Sequence, residues 1–421
     1  MKTNRFTLGF LALALALVGF TSCGDEPTDP VDWQSIDGGS TPTISAITPS
    51  LGLVGISEFT ISGANFNTDS AGTWAWIDGR NHGLGVQEAK IVSASATELV
   101  IQVPYTDPPL IGDSIIVRVM TADAADFAEE HVIALEEPMF EFGGLSLEGE
   151  IVKSMTMDDG GNIYAAITSK INNAAVGITK IAPNEDREMV WSPPEFDLTL
   201  PNGNTVTLPN SPNAMAPAGA DKIINDYKKQ SIVMSVPDTA QIVLQTGVGK
   251  NVASMDFDDQ GRLWTGGGSD IYRVDFAADT VQAATDMSPS GVSDIAGVRF
   301  YDGKLYAVAA DGDGAKVYEM TVDGSGNLGA ASEYFSSAEV EDPNCITFSA
   351  DGELFIGYKE GVYRVHTDKS AEKLYPGVVE FEARQFEWHD TFLYIAYTDD
   401  DGVQAIKKVQ MLEAGTPRYG F

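Results

Sequence analysis

The chain has 421 residues, 43% of them hydrophobic, and sets 61 acidic against 26 basic side chains for a formal net charge of −35. So large a negative surplus excludes recognition of nucleic acid or an anionic membrane through a basic patch, and the length exceeds one ordinary core, so at least two domains are expected. The acids are scattered rather than clustered, which fits a surface hydrated in a saline habitat, or simple solubility, better than cation capture. At the start, Lys2 and Arg5 precede an unbroken apolar run over residues 8–20. That run is short for a membrane span and suits the core of an export signal covering residues 1–22.

The run ends at Phe20-Thr21-Ser22-Cys23. Small residues ahead of a cysteine resemble the lipobox of bacterial lipoproteins, and Phe20 in place of the usual Leu is similar to substitutions in Bacteroidota lipoproteins. The resemblance implies lipidation of Cys23 and attachment to a membrane through that lipid alone. Residues 23–40, opening Gly24-Asp25-Glu26-Pro27, read as a flexible tether with little capacity to bury itself. Acidic residues this early resemble the Bacteroidota signal for display on the outer surface, so the expected address is the outer membrane, facing outward. With Cys23 lipidated, Cys345 has no disulfide partner and reads as a small buried apolar residue.

Residues 41–137 carry short strands between turn signals. Phe59 and Ile61 alternate with polar neighbours, Gly63-Ala64-Asn65 supplies a turn, and further strands are expected at residues 73–77, 88–93, 98–103 and 114–120. This spacing predicts an immunoglobulin-like sandwich. The order ISAITPSLGLVG, FTISGANF, LVIQVP, IIVRVMTADA resembles the IPT/TIG family across nearly the whole segment, which implies an interaction or spacer module without catalytic residues. Trp74 and Trp76, two apart, share one face of a strand and are expected to pack in the core or between domains.

From residue 138 onward one pattern recurs: a turn rich in Asp and Gly, then an apolar strand, as in DDGGNIYAAI, DDQGRLWTGG, YDGKLYAVAA, ADGELFIGYK and HDTFLYIAYT. Aligned on the first apolar residue after the turn, the repeats fall at Ile163, Ile223, Leu263, Leu305, Leu354 and Leu393, with intervals of 39 to 60 residues. Spacing near 40 to 45 with several short strands per unit is the signature of propeller blades (roughly 40–50 residues each). The turn needs Asp, Asn or Gly because its backbone enters positive φ. Residues 138–421 thus resemble an NHL-type six-bladed β-propeller, and the whole chain is expected to be all-β. Residues 139–147 are the candidate strand that closes the ring by pairing with the far end.

The same register places Lys153, Asn213, Ala253, Ala296, Asn344 and Arg384 at equivalent positions ahead of the inner strands, where they would line one mouth of the central channel. Asn251, Asp294, Asp342 and Glu382 stand two residues earlier, and the intervening Val152, Pro212, Val252, Ile295, Pro343 and Ala383 are apolar. The ring suits a sugar or a peptide, or is simply a solvated mouth. The long interval between the first two repeats carries residues 191–211, an extruded loop or hairpin headed by Trp191, whose flat ring suits sugar stacking. The candidate ligand-binding residues are therefore Lys153, Trp191, Asn213, Asn251, Asp294, Asn344 and Arg384.

No catalytic residue and no resident metal or cofactor is assigned. Calcium is the one ion with suitable ligand types, Asn213, Asp294 and Asn344, which resemble those of calcium-dependent lactonase propellers. The four histidines, His82, His131, His366 and His389, are dispersed, which disfavours a His acid/base pair or a zinc site. Asp311-Gly312-Asp313-Gly314 and Asp323-Gly324-Ser325-Gly326-Asn327 lack the spacing and terminal Glu of an EF-hand and read as turns. The expectation is a surface lipoprotein that binds extracellular glycan, with protein or peptide scaffolding and a lactonase- or lyase-like enzyme as its rivals.

Overall fold

The computed structural model describes residues 40–421 except 123, 125, 192–195, 200–204, 209–211, 213, 218–222, 228–230, 237–238, 245–251, 276–283, 311, 313, 417 and 420–421, and except the side chains at 191, 196–199, 205–208, 225, 227, 231–236, 239–244 and 284. The chain divides into two compact units, Met1–Glu136 and Glu137–Phe421. Among the described residues no helix is long and apolar enough to cross a membrane.

The first unit is a sandwich of two sheets. One orders Thr43–Thr48, Glu58–Ala64, Glu98–Gln102 and Lys90–Ala94; the other orders Leu51–Leu53, His131–Glu136, Gly112–Thr121, Thr73–Asp78 and Val86–Glu88. Alternate residues of each strand face inward, so Phe59, Ile61, Ala75, Ile77, Leu99, Ile101, Val117 and Val119 form a single buried cluster.

Two expectations need correction here. The strand expected at residues 88–93 is two strands, because the chain changes sheets at Ala89. Val86–Glu88 pairs with Thr73–Asp78, Lys90–Ala94 pairs with Glu98–Gln102, and the buried Ala89 donates its N–H to the Ala75 carbonyl at 2.8 Å. Of the two places expected for Trp74 and Trp76, the core is not where they lie. Ala75 and Ile77 hold the inward parity of their strand, which leaves both indoles half-buried on the outer face, Trp76 edge-on to Phe127 at 5.5 Å.

The second unit contains six four-stranded antiparallel sheets. Their inner strands are Glu150–Met157, Met215–Pro217, Ser254–Phe257, Ile295–Tyr301, Cys345–Phe348 and Glu382–His389. Each packs against the next and the last against the first, which closes a six-bladed β-propeller. The aligned residues Ile163, Ile223, Leu263, Leu305, Leu354 and Leu393 each fall at the first or second position of a second strand, and all are at most 3% exposed.

The turn ahead of them has the anticipated backbone, with φ of 76° at Gly161 and 73° at Gly261. Asp258 locks its copy of the turn: Oδ1 accepts from the amides of Gln260 and Arg262, while Oδ2 accepts from Trp264 Nε1 at 2.9 Å. The 323–327 segment is a turn of the same kind, with Asp323 Oδ1 accepting from the amides of Ser325 and Asn327.

The ring closes through its own first strand. Met139–Glu141 pairs with Gln404–Gln410, so the last blade takes strands from both ends of the unit and Gln404–Gln410 is not left as an edge. Phe142, 1% exposed, continues this seam against Tyr394 with ring centroids 4.9 Å apart. The extra length between the first two blades holds a separate hairpin, Phe196–Thr199 with Thr205–Leu208.

Candidate binding site

The central channel has two ends, called upper at the N-terminal ends of the inner strands and lower at their C-terminal ends. At the upper end the apolar spacers Val152, Pro212, Val252, Ile295, Pro343 and Ala383 are all buried, as their wedging between blades requires. In the first, fourth and sixth blades the residue that follows is a β-bulge: the pairing registers slip at Lys153, Ala296 and Arg384. A bulge leaves one residue outside the ladder and re-aims its side chain, which is how a regular inner strand presents a polar group at the channel rim. In the fifth blade Asn344 precedes the strand, with its amide bonded to the Gly357 carbonyl at 2.8 Å.

These groups form an arc of hydrogen bonds across four blades. Asn344 Nδ2 donates to the Ala383 carbonyl at 3.2 Å and to Glu382 Oε1 at 3.4 Å. Arg384 Nη2 donates to the Val152 carbonyl at 2.6 Å, and Gln385 Oε1 accepts from the Met155 amide at 2.8 Å. Ser154 Oγ carries the arc to the second blade by donating to the Pro212 carbonyl at 2.7 Å. Burial pulls the Arg384 guanidinium below its ordinary pKa, with the Glu382 carboxylate opposing. Arg384 Nε is buried without a partner among the described residues. Lys153 and Asn344 are half-buried, and Ala253 and Ala296 fill the corresponding positions of the third and fourth blades. The rim is therefore polar on one side and bare on the other.

The structure thus brings Lys153, Asn344 and Arg384 to one rim. Asp294 is exposed, in left-handed backbone with φ 54°, matched in the next blade by Asp342 with φ 49°. The equivalence inferred from sequence holds for these two backbones. Cys23, Asn213, Asn251 and the side chain of Trp191 lie outside the described residues; the Trp191 backbone ends the strand Arg187–Trp191. Among the described residues no three His, Cys, Asp or Glu side chains converge closely enough to share a metal ion.

Sequence reasoning missed the lower end. Three residues after each rim position stand Thr156, Asp256, Arg299, Thr347 and Glu387, all at most 3% exposed, with Ala216 in the second blade. Asp256 and Arg299 pair at 2.9 Å.

The chain's C-terminal segment crosses this end. Gly415 bridges to Ser349, Thr416 Oγ1 donates to the Phe348 carbonyl at 2.9 Å, and Tyr419 bridges to Phe257. Arg418 enters between the two acids, 2.8 Å from Glu387 and 3.4 Å from Asp256. Burial pushes the Glu387 carboxyl up to about 7, with Arg418 and Arg299 opposing. The available signal was a polar residue at one fixed register of otherwise apolar strands, as in SMDF, GVRF and QFEW.

No protein-family model matches this sequence, and no curated protein matches it. Among solved structures the chain is similar to an auxiliary nutrient binding protein from Bacteroides thetaiotaomicron, with 11% identity, 88% of this chain and 97% of that one covered, and a TM-score of 0.50. A second auxiliary nutrient binding protein, from Bacteroides ovatus, matches at 10% identity over 90% of this chain and 99% of that one, with a TM-score of 0.42. Virginiamycin B lyase from Staphylococcus aureus matches at 14% identity over 65% of this chain and 98% of its own, with a TM-score of 0.45. At such identities the likeness is one of fold.

Proposed function

We propose that this protein is a binding module rather than an enzyme, and that the upper mouth of its propeller captures a neutral or acidic extracellular glycan. In this reading Cys23 carries a lipid that holds the chain on the outer membrane, facing outward, and the sandwich is an IPT/TIG-like spacer. The observation that carries the reading is the one-sided rim: Lys153, Asn344 and Arg384 stand at equivalent register around one channel mouth, opposite Ala253 and Ala296. Half-buried amide and cationic groups at a channel rim are what sugar hydroxyls and carboxylates require.

Closure of the lower end by the tail directs a ligand to the upper one. The name of the Bacteroides thetaiotaomicron structure, an auxiliary nutrient binding protein, agrees with a binding role. A glycan array with the full chain, run beside thermal melting with and without calcium, tests the proposal. Saturable glycan binding without a calcium shift is the expected outcome. A large calcium shift with no glycan bound would instead favour the lactonase-like reading.

A further inference from the structure

The first unit carries a surface of its own. On the outer face of its five-stranded sheet the pairing register sets side chains in rows across the strands. Trp74 stands beside Met120, Trp76 between Glu88 and Arg118, and Asp78 between Val86 and Ile116, whose row continues to Val132. Ladder partners lie about 5 Å apart and alternate residues of one strand about 7 Å apart, so both indoles belong to one patch. Phe127, from the segment between Gly112–Thr121 and His131–Glu136, meets Trp76 edge-on, with ring centroids 5.5 Å apart and planes 70° apart. The two rings make a corner rather than a stack.

Four of the ten large apolar side chains exposed among the described residues, Leu51, Val86, Phe127 and Val132, lie on this face or over it. That concentration marks a surface that meets a partner. The charges beside the rings are paired: Arg118 lies 2.7 Å from Glu130 and 3.4 Å from Asp78, and Arg80 Nε donates to Asp78 at 2.9 Å. Glu88 is exposed and has no ion pair among the described residues.

We propose that this face binds a neutral oligosaccharide chain of sugars with equatorial substituents, seated in the corner of Trp76 and Phe127 and running on over Trp74. Such sugars present apolar C–H faces to the rings, while Arg118 donates to their hydroxyls and Glu88 accepts from them. Charge selects the occupant. Two acids and two arginines cancel beside the rings, which suits an uncharged chain, whereas a second copy of this protein carries the same −35 and is repelled. Three rings spread over two rows suit several sugar units better than one. The proposal rests on the reading of the protein as a glycan binder and gives the sandwich a contact separate from the propeller mouth.

Calorimetric titration of the full chain with cellohexaose and with glucose tests this. Cellohexaose should bind, and glucose at least about tenfold more weakly. Trp76→Ala should weaken cellohexaose binding about tenfold and Phe127→Ala several-fold, while Trp76→Phe, which keeps a ring, should lose less than Trp76→Ala. Neither ring belongs to the buried cluster of the sandwich, so melting should stay near that of the native chain. Where the mouth binds cellohexaose too, two sites per chain should become one in Trp76→Ala. Absence of cellohexaose binding, equal affinity for glucose, or binding unchanged in both Trp76→Ala and Phe127→Ala would overturn the proposal. Binding lost with Lys153→Ala but kept by both ring variants would place the sugar at the propeller mouth alone, so the two sites fail separately.

Discussion

Arg418 Nε lies 2.8 Å from Glu387 Oε2, so the tail supplies the counter-ion for a carboxyl on the inner strand of the last blade. The same guanidinium donates to the Phe386 carbonyl at 3.0 Å and approaches Asp256, whose other face meets Arg299. Two acids and two arginines therefore balance at the lower end of the channel. Arg418→Ala leaves both acids buried with one cation between them and should cost about 3–5 kcal/mol, the scale of breaking a buried pair. Replacing both partners, Arg418→Met with Glu387→Leu, should cost less than the single change, because no charge is then stranded. Urea unfolding of the propeller transition measures both, and a neutral Arg418→Ala would show that the tail contributes no electrostatic closure.

Burial holds Glu387 near 7 in the folded chain against an ordinary 4.5. Between those values the folded state binds more protons than the unfolded one, so stability falls as pH rises. The contribution is fully present below about 4.5, is lost progressively up to about 7, and is flat above that, with a total on the order of 3 kcal/mol. The expected signature is a propeller that loses stability from pH 5 to pH 7, and a Glu387→Gln variant in which this slope is absent. Unfolding curves at several pH values decide it; an unchanged slope in the variant would assign the dependence to other groups.

Met139↔Val409 pairing makes the last blade depend on a strand from the start of the unit. A chain beginning at Ile151 should be destabilised or aggregate through the exposed edge of Gln404–Gln410, whereas one beginning at Glu137 should not. Phe142→Ala tests the same seam within the full chain. Loss of its ring from between the end strands and Tyr394 should cost about 3–5 kcal/mol. A cost below about 1 kcal/mol would mean that the ring closes without this strand.

Much of the propeller was legible in the sequence because each blade repeats one local device. Asp258 must accept from the turn's amides and Gly261 must take positive φ, and these demands fix residue types at fixed offsets from Leu263. The rim was legible for the same reason, since wedged Val152 and Ala383 stand beside the polar, half-buried Lys153, Glu382 and Arg384. The lower ring was not, because Asp256, Arg299 and Glu387 each look like an isolated polar residue until blades about 40 residues apart are superposed. The tail was opaque because Gly415-Thr416-Pro417-Arg418 has no periodicity; its place is set by side-chain pairing across the channel. Trp74 and Trp76 misled because large apolar residues suggest a core, whereas strand parity gave the interior to the smaller Ala75 and Ile77.

Cys23 lies outside the described residues, and its role is testable apart from the fold. Cys23→Ser should abolish incorporation of labelled fatty acid and move the protein out of the membrane fraction. Membrane retention by the variant, with no label in the native chain, would place the protein elsewhere.

The upper rim makes the most exacting prediction. Arg384 bonds the Val152 carbonyl through Nη2, so the guanidinium is held in place at the rim. Such a group binds a sugar hydroxyl or carboxylate without first losing much side-chain freedom. Arg384→Ala and Lys153→Ala should each weaken glycan binding by roughly 1–3 kcal/mol, the worth of a hydrogen bond to a charged group. Trp191→Ala should cost a similar amount if its ring is the stacking plane beside that rim. Arg384→Ala also removes the link to Val152, so its melting temperature must be read alongside; Lys153→Ala, at a bulge outside the strand ladder, should leave melting unchanged. Binding lost with Arg384→Ala but kept with both Lys153→Ala and Trp191→Ala would reduce Arg384 to a brace between blades and remove the upper mouth as the site.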